Sequence, residues 1–149
     1  ELGLSFDLCV RPKELPDFVK LVGQCPGTRF VLDHCGNPRA DFTAAERDAW
    51  KAGLAELAAK PNVVAKVSGF VVNGYPKGKW TADDLAPVID TTVDTFGVDR
   101  AMFGGDWPVV TLAATYQEWL TALRQVLARR PEADQKKVLH DNAVRFYGI

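Results

Sequence analysis

The sequence contains no long apolar run, no excess of one charge and no closely spaced pair of cysteines. A membrane-spanning helix needs about 20 consecutive apolar residues, and every apolar run here is far shorter, which predicts that the chain does not cross a membrane. Eighteen basic residues are balanced by nineteen acidic ones, and no stripe of lysine or arginine offers the basic surface that nucleic acids require. We therefore expect neither a membrane nor a nucleic acid among its partners.

The three cysteines also exclude a disulfide framework. Cys9, Cys25 and Cys35 form no C-x-x-C pair, and an odd number of cysteines leaves at least one thiol free. Reduced thiols are typical of cytoplasmic proteins, so this usage predicts a cytoplasmic location. Cys35 directly follows His34, but no neighbour in the sequence is placed to lower its pKa, and we interpret it as a buried structural thiol.

Four short apolar segments alternate with longer segments of helical periodicity. The apolar segments, each of which predicts a strand, are Leu4–Val10, Arg29–His34, Val63–Ser68 and Arg100–Phe103. Their starts lie roughly 25 to 37 residues apart, the length of a right-handed βαβ unit. Thr43, followed three residues later by Glu46, predicts a capped helix start. Thr81 and Asp84 repeat the pattern before the next helical segment.

The predicted order of elements is β-α-β-α-β-α-β-α-α, because two helical patterns, Tyr116–Leu127 and about Asp134–Tyr147, follow the fourth strand. The strands are nearly continuous apolar runs, as expected where helices cover both faces of a parallel sheet. Two α/β architectures fit: a small open doubly wound sheet, or four successive units of a (β/α)8 barrel, for which about 250 residues are typical. Periodicity alone does not distinguish between them.

Each predicted strand ends in polar side chains. These strand-end residues are Asp7 and Cys9, Asp33 and His34, Lys66 and Ser68, and Asp106 and Trp107. In parallel α/β folds the carboxyl ends of the strands meet at one face, where active sites are built from several strand ends at once. Ionisable groups near a strand core are costly unless they are paired. The repeated pattern therefore predicts a functional site at this face.

Three of these side chains have a specific chemical use and an ordinary alternative. His34 suits a metal ion or a substrate, or it is a hydrogen-bonded histidine in a turn. Asp106 lies in a Gly-Gly-Asp-Trp-Pro segment, where a carboxylate binds a cation, accepts a proton from water, or only caps a turn. Lys66 polarises a carbonyl or binds a carboxylate, or it forms an ion pair at the end of the strand.

Several common catalytic signatures do not occur in the sequence. It has no Gly-x-Gly-x-x-Gly after a strand, no P-loop, no Gly-x-Ser-x-Gly elbow and no His-Glu-x-x-His. These absences argue against nucleotide binding, serine hydrolysis and a zincin protease.

Four longer segments carry a family resemblance. They are Phe30–Pro38 (FVLDHCGNP), Val63–Gly69 (VVAKVSG), Phe96–Val109 (FGVDRAMFGGDWPV) and Asn142–Tyr147 (NAVRFY). In this order they resemble the carboxyl-terminal half of the amidohydrolase-2 family, TIM-barrel metal-dependent hydrolases that include sugar lactonases and pyrone-dicarboxylate lactonase. The resemblance covers essentially the whole chain. It implies a single partial domain over residues 1–149, made of four parallel βα units with an extra carboxyl-terminal helix.

The resemblance also implies roles for two residues. His34 is expected to be a metal ligand or a substrate contact, and Asp106 a metal ligand or the general base, with or without a divalent ion such as zinc or manganese. The chain departs from the family by having Gly105 where serine is usual, and by lacking the His-x-His pair of the family's first strand. We therefore expect a missing amino-terminal half-barrel that carries this pair. Residue 1, which is Glu rather than Met, is consistent with such a fragment.

The predicted function is hydrolysis of a lactone or a similar carboxylic ester. Water activated by Asp106 would add to the carbonyl, and a metal ion or groups such as His34 would stabilise the oxyanion. The small-molecule substrate would be held by residues of the same face: Lys66, Ser68, Arg11 and Trp107. A half-barrel on its own is expected to be inactive and to expose strand edges and its inner face.

Two alternative functions remain open from the sequence. A decarboxylase on the same scaffold would use the same strand-end residues. A non-catalytic α/β binding module that folds alone would explain the strand order but would leave the polar strand ends without a shared purpose.

Overall fold

A computed structural model describes residues 3–149. Its four strands form one parallel sheet in the order β1-β2-β3-β4, so that consecutive strands are neighbours. The strands are β1 (Ser5–Leu8), β2 (Arg29–Leu32), β3 (Val63–Val67) and β4 (Ala101–Phe103). This confirms the predicted set of four parallel strands. The sequential order is that of successive barrel units, and it lacks the reversal of strand order that marks an open doubly wound sheet.

A helix follows each strand. The helices are α1 (Leu15–Gln24), α2 (Ala44–Ala58), α3 (Ala82–Phe96), α4 (Tyr116–Leu127), α5 (Glu132–Lys136) and α6 (Asn142–Tyr147). Helices α2, α3 and α4 each begin with a threonine capping box, of which the sequence predicted the first two. The last predicted helix is interrupted by a π-helical turn, Lys137–Asp141, between α5 and α6. Within residues 3–149, no helix has the length and apolarity to cross a membrane.

The hydrophobic core lies between the sheet and its helices. Val63, Ala65 and Val67 of β3 are fully buried in it, whereas Val64 and Lys66, which alternate with them, are partly exposed on the other face. The strand is therefore apolar toward the helices and is free to carry functional groups on its second face.

Cys35 is part of this core. Its side chain is fully buried, and burial raises the pKa of its thiol to about 11. Trp50 of α2 donates an indole hydrogen bond of 2.8 Å to the Cys35 carbonyl. The structure thus confirms the interpretation of Cys35 as a structural thiol, and it shows how α2 holds the turn that contains it.

The carboxyl-terminal segment covers part of the second face of the sheet. Arg29, at the start of β2, donates a 2.6 Å hydrogen bond to the Phe146 carbonyl and stacks on the Phe146 ring. Asn142 donates to the carbonyls of Val98 and Ala101 at the start of β4, both at 2.7 Å. Met102, on the second face, is 1% exposed. The second face, expected to be exposed, is therefore covered by α6 near the starting ends of the strands, while Val64 and Lys66 remain partly exposed on it.

Within residues 3–149 the sheet has two unpaired outer edges, those of β1 and β4, and the edge of β1 is flanked by exposed apolar residues. Leu4 and Phe6 beside it are 73% and 54% exposed. An unpaired apolar edge is a template for pairing with another chain. We therefore expect the isolated 149-residue chain to self-associate as its concentration rises, as measured by size-exclusion chromatography with light scattering.

A matched pair of variants tests the edge. Leu4→Lys is expected to reduce self-association, because an edge lysine opposes strand pairing. Leu112→Lys removes an apolar side chain of equal exposure, 73%, away from the edge, and should leave association unchanged. A stable monomer of the unaltered chain at all concentrations would contradict the prediction.

Candidate active site

The turn after β2 projects His34 toward the end of β3. Residues Asp33–Gly36 form a tight helical turn in which His34 and Cys35 both have φ of 56°. Residues other than glycine rarely adopt this left-handed backbone conformation unless surrounding contacts hold them in it. The Trp50 bond to Cys35 provides one such restraint, and Asn37 provides another through a 2.9 Å hydrogen bond to the Val10 carbonyl.

The end of β3 forms a socket for the His34 ring. Oγ of Ser68, a fully buried residue, lies 2.9 Å from Nδ1 of His34. Gly69 has φ of 68°, and a Cβ atom there would lie 2.2 Å from the same Nδ1. The imidazole therefore occupies the space that a side chain at residue 69 would need. Because a hydroxyl both donates and accepts, Ser68 is able to pair with either tautomer of His34.

The end of β4 places Asp106 opposite the His34 ring. Oδ1 of Asp106 lies 3.8 Å from Nε2 of His34, and the Asp106 side chain is 11% exposed. Asp106 itself has φ of 51°. Gly104 permits the close approach, since a Cβ there would lie 2.9 Å from the side chains of both Lys66 and Ser68. Three strand ends thus meet around one imidazole.

Gly105 has a structural explanation in this chain. A Cβ atom at residue 105 would lie 2.6 Å from the ring of Tyr116, which stacks edge-on against Phe103 of β4. The Tyr116 ring therefore stands where the serine usual in the family would place its side chain.

Burial gives Asp106 the properties of a base. Removal from water, reinforced by the charge of Asp33, raises the pKa of the Asp106 carboxyl above its ordinary value, while His34 and Lys66 oppose the shift. A carboxylate with a raised pKa is a stronger base than a solvated one.

Lys66 is engaged by two carboxylates. Its Nζ lies 2.7 Å from Oδ1 of Asp33 and 3.0 Å from Oδ2 of Asp7. Burial opposes the charge of Lys66, but the two carboxylates outweigh it and raise the pKa of the ammonium. Lys66 therefore forms the strand-end ion pair that the sequence left open as an alternative, and its binding of a substrate remains a prediction.

The cluster carries an excess of negative charge. Asp7, Asp33 and Asp106 contribute three carboxylates against the single ammonium of Lys66, which gives a formal charge of −2 while His34 is neutral. Such a cluster favours a cationic partner. The imidazole of His34 and the carboxylate of Asp106 are zinc ligand types, and two tetrahedral ligands at bond lengths of about 2.0–2.2 Å lie roughly 3.3 to 3.6 Å apart. Nε2 of His34 and Oδ1 of Asp106, 3.8 Å apart, are within a small side-chain shift of this separation.

Two predicted substrate contacts lie at the margin of the cluster. Arg11 pairs with Glu14 at 2.9 Å and lines a different surface cavity, together with Asn37 and Arg39. Trp107 is 73% exposed directly beside Asp106. Ser68 contacts His34 from its buried position. The structure thus brings together His34, Ser68, Lys66 and Asp106. Substrate binding stays a prediction for each of the four proposed contacts: Lys66, Ser68, Arg11 and Trp107.

Some members of the cluster were not among the predicted site residues. The sequence marks Asp7 and Asp33 only as polar strand ends, although the period-two alternation along β1 and β3 places Asp7 and Lys66 on the same face. Gly69 gave no signal beyond its position after the strand, because the atom that excludes a side chain there belongs to His34.

Comparisons with known proteins identify the family and the fold. The chain matches the Amidohydrolase family over residues 1–149. It is 36% identical to an L-fucono-1,5-lactonase of Burkholderia multivorans over 97% of this chain and 51% of the relative. A crystal structure of an amidohydrolase from Burkholderia multivorans with bound zinc superposes with a TM-score of 0.88 at 33% identity, covering 96% of this chain and 52% of the other.

A more distant structure shows the same fold. A probable 2-pyrone-4,6-dicarboxylic acid hydrolase from Acinetobacter baumannii superposes with a TM-score of 0.80 at 20% identity, over 99% of this chain and 54% of the other. The chain spans about half the length of the curated relatives it matches. Four sequential βα units with their polar strand ends at one face correspond to half of an eight-unit barrel. The chain belongs to the amidohydrolase family.

Proposed function

We propose that the protein containing this chain hydrolyses a lactone, with Asp106 as the general base and His34 as its partner at the reacting carbonyl. The observation that carries the proposal is the pair formed by Nε2 of His34 and Oδ1 of Asp106, 3.8 Å apart at the carboxyl ends of β2 and β4. The lactonase relative, 36% identical over nearly the whole chain, supports this choice of substrate class.

Asp106 would handle the proton of the attacking water. Its carboxylate accepts a proton as the water oxygen bonds to the lactone carbonyl carbon, which forms a tetrahedral oxyanion. When the ring C–O bond breaks, Asp106 returns the proton to the departing alkoxide, and the products are a hydroxy acid and an unchanged enzyme. Partial burial suits this role, because it raises the pKa of the acceptor.

His34 would act on the carbonyl side of the reaction. Ser68 and Gly69 hold its ring in one position, and Nε2 is the ring nitrogen that faces the site. In the Nε2–H tautomer, with the Ser68 hydroxyl donating to Nδ1, this nitrogen donates a hydrogen bond to the developing oxyanion. A donor held in place before the reaction does not have to reorganise as charge develops.

A divalent ion fits the same two side chains. His34, through the lone pair of a deprotonated Nε2, and Asp106 would hold it together with the His-x-His pair expected in the missing half. The ion would then replace the Nε2–H group in polarising the carbonyl, and it would acidify bound water. The zinc-containing amidohydrolase structure supports this proposal.

The substrate is proposed to be held by four residues: Trp107, Lys66, Ser68 and Arg11. The exposed Trp107 ring would cover the apolar face of the substrate.

The proposed function requires a second half of the barrel. Residues 1–149 are proposed to be one partial domain that docks against an amino-terminal half-barrel, with the exposed edge of β1 as part of the contact.

The three free thiols support a cytoplasmic location. The comparisons do not favour a decarboxylase or a non-catalytic module, since the relatives include lactonases and a probable hydrolase.

The first test is lactone hydrolysis by the intact protein. We expect turnover of sugar lactones, and we expect His34→Ala to lower that turnover by about 10²-fold or more, as loss of an oxyanion donor does. Because the His34 side chain is partly exposed, the melting temperature should change little. His140→Ala is the matched control, since this exposed histidine bonds to Asp141 on the carboxyl-terminal segment. Activity that falls only in proportion to the folded fraction would contradict a role for His34.

A further inference from the structure

We propose that Cys9 and Asp33 join His34 in the donor set of the cation site, so that the bound ion has a thiolate ligand. One ligand atom from each of these three residues lies within 4.8 Å of the other two. They come from two different elements, since Cys9 follows β1 whereas Asp33 and His34 begin the turn after β2. The inference extends the site on which the proposed function depends, and it concerns residues that function did not use.

The spacing is close to that of a zinc site. Zinc–ligand distances of about 2.3 Å for sulfur and about 2.0–2.2 Å for nitrogen and oxygen place tetrahedral neighbours roughly 3.3 to 3.6 Å apart. The three ligand atoms, within 4.8 Å of one another, reach this separation by rotation of the Cys9 side chain and a small shift of Asp33, while His34 keeps its place against Ser68. Cys9 is exposed, so its Sγ is able to turn without disturbing the core.

Asp33 has capacity for a second cation. Its buried Oδ1 lies 2.7 Å from the Lys66 ammonium and is occupied by that ion pair. A carboxylate has two oxygens, so Asp33 is able to keep Lys66 on one side and offer the other oxygen to an ion. The ammonium neutralises only one of the three carboxylates in the cluster.

A thiolate in the donor set selects among metals. Thiolate favours zinc and similar ions, whereas manganese and magnesium prefer oxygen ligands. The sequence left zinc and manganese as equal candidates, and Cys9 decides for zinc. The other thiols do not compete for this role, because Cys35 is buried with a raised pKa and Cys25 follows α1 at the opposite end of the strands.

Cobalt absorption tests the inference without measuring catalysis. The intact protein is stripped of metal and titrated with Co²⁺, whose bond to a thiolate produces a charge-transfer absorption in the near ultraviolet. We expect this band in the unaltered protein and in Cys25→Ser, the matched control, and its loss in Cys9→Ser. Zinc affinity should fall at least about tenfold in Cys9→Ser, the lower end of the effect of losing a supporting ligand contact, while manganese affinity should change much less. Asp33→Asn, with its melting temperature checked because Lys66 loses a partner, should also weaken zinc.

The cobalt results separate a thiolate ligand at Cys9 from the proposed lactone hydrolysis. Co²⁺ binding without the band, no Co²⁺ binding at all, or a band that persists in Cys9→Ser would overturn the inference. A band that depends on Cys9 in a protein that hydrolyses no lactone would support the site and reject the proposed function. Lactone hydrolysis with no such band would do the reverse.

Discussion

Asp106→Asn is expected to lower turnover of the intact protein by about 10²-fold or more, with substrate binding little changed, because general-base catalysis contributes about 10²- to 10⁴-fold. Asparagine keeps the shape of the side chain in its partly buried position opposite His34, but it accepts no proton from water. The measurement is kcat and KM for a hydrolysed lactone, with the variant's fold checked by circular dichroism.

The pH dependence of the rate tests the same assignment. Burial raises the pKa of Asp106, so the rate of the unaltered enzyme should fall with decreasing pH before the ordinary aspartate value of 3.8 is reached. The acidic limb should be absent from whatever activity Asp106→Asn retains. Near-normal turnover of the variant, with an unchanged fall in rate at low pH, would contradict the assignment of Asp106 as the base.

Asp106→Asn should not lower the stability of the folded protein at neutral pH, although it lowers activity. A carboxyl whose folded pKa is raised binds its proton more tightly in the folded state, so its ionised form opposes folding. This cost is fully present above the raised pKa and disappears as the pH falls below the ordinary value. Asp106→Asn should therefore be as stable as the unaltered protein or more so at neutral pH, whereas loss of a capping aspartate would cost about 1 kcal/mol.

Gly69→Ala is expected to have the second largest effect, a loss of about 10²-fold in turnover, because a displacement of about 1 Å in a catalytic group costs that much. The added Cβ would lie 2.2 Å from Nδ1 and 2.4 Å from Cγ of His34, so the ring must leave its socket. A ring that moves also loses the hydrogen bond with Ser68.

Two controls separate displacement of the ring from backbone strain. Gly78→Ala places alanine at φ of 70°, close to the 68° of Gly69, where the added atom meets nothing within 4 Å. It should lose stability through the unfavourable conformation and keep its turnover. Ser68→Ala removes the hydroxyl without a clash and should lower turnover less than Gly69→Ala does. Equal turnover in the residue 69 and residue 78 variants, after correction for folded protein, would argue against a socket for His34.

Features of this protein that depend on near neighbours in the chain were predictable from the sequence. The capping boxes at Thr43 and Thr81 involve residues three positions apart, so the pattern itself contains both partners. Strands such as Val63–Val67 follow from a short β-branched run between turn residues. The meeting of Asp33, Lys66 and Asp106 at one face follows from parallel strands, whose carboxyl ends share an edge.

The detailed geometry of the site was decided only by the tertiary structure, because it depends on contacts between residues far apart in the chain. His34 is oriented by Ser68, which lies 34 positions away, and by the missing side chain of Gly69. Neither partner is marked by the sequence around His34. Likewise, the ion pairs of Lys66 with Asp33 and Asp7 and the approach of Cys9 to His34 arise from the packing of β1, β2 and β3 side by side. Local periodicity therefore determines which residues reach this face, and packing between strands determines which atoms touch there.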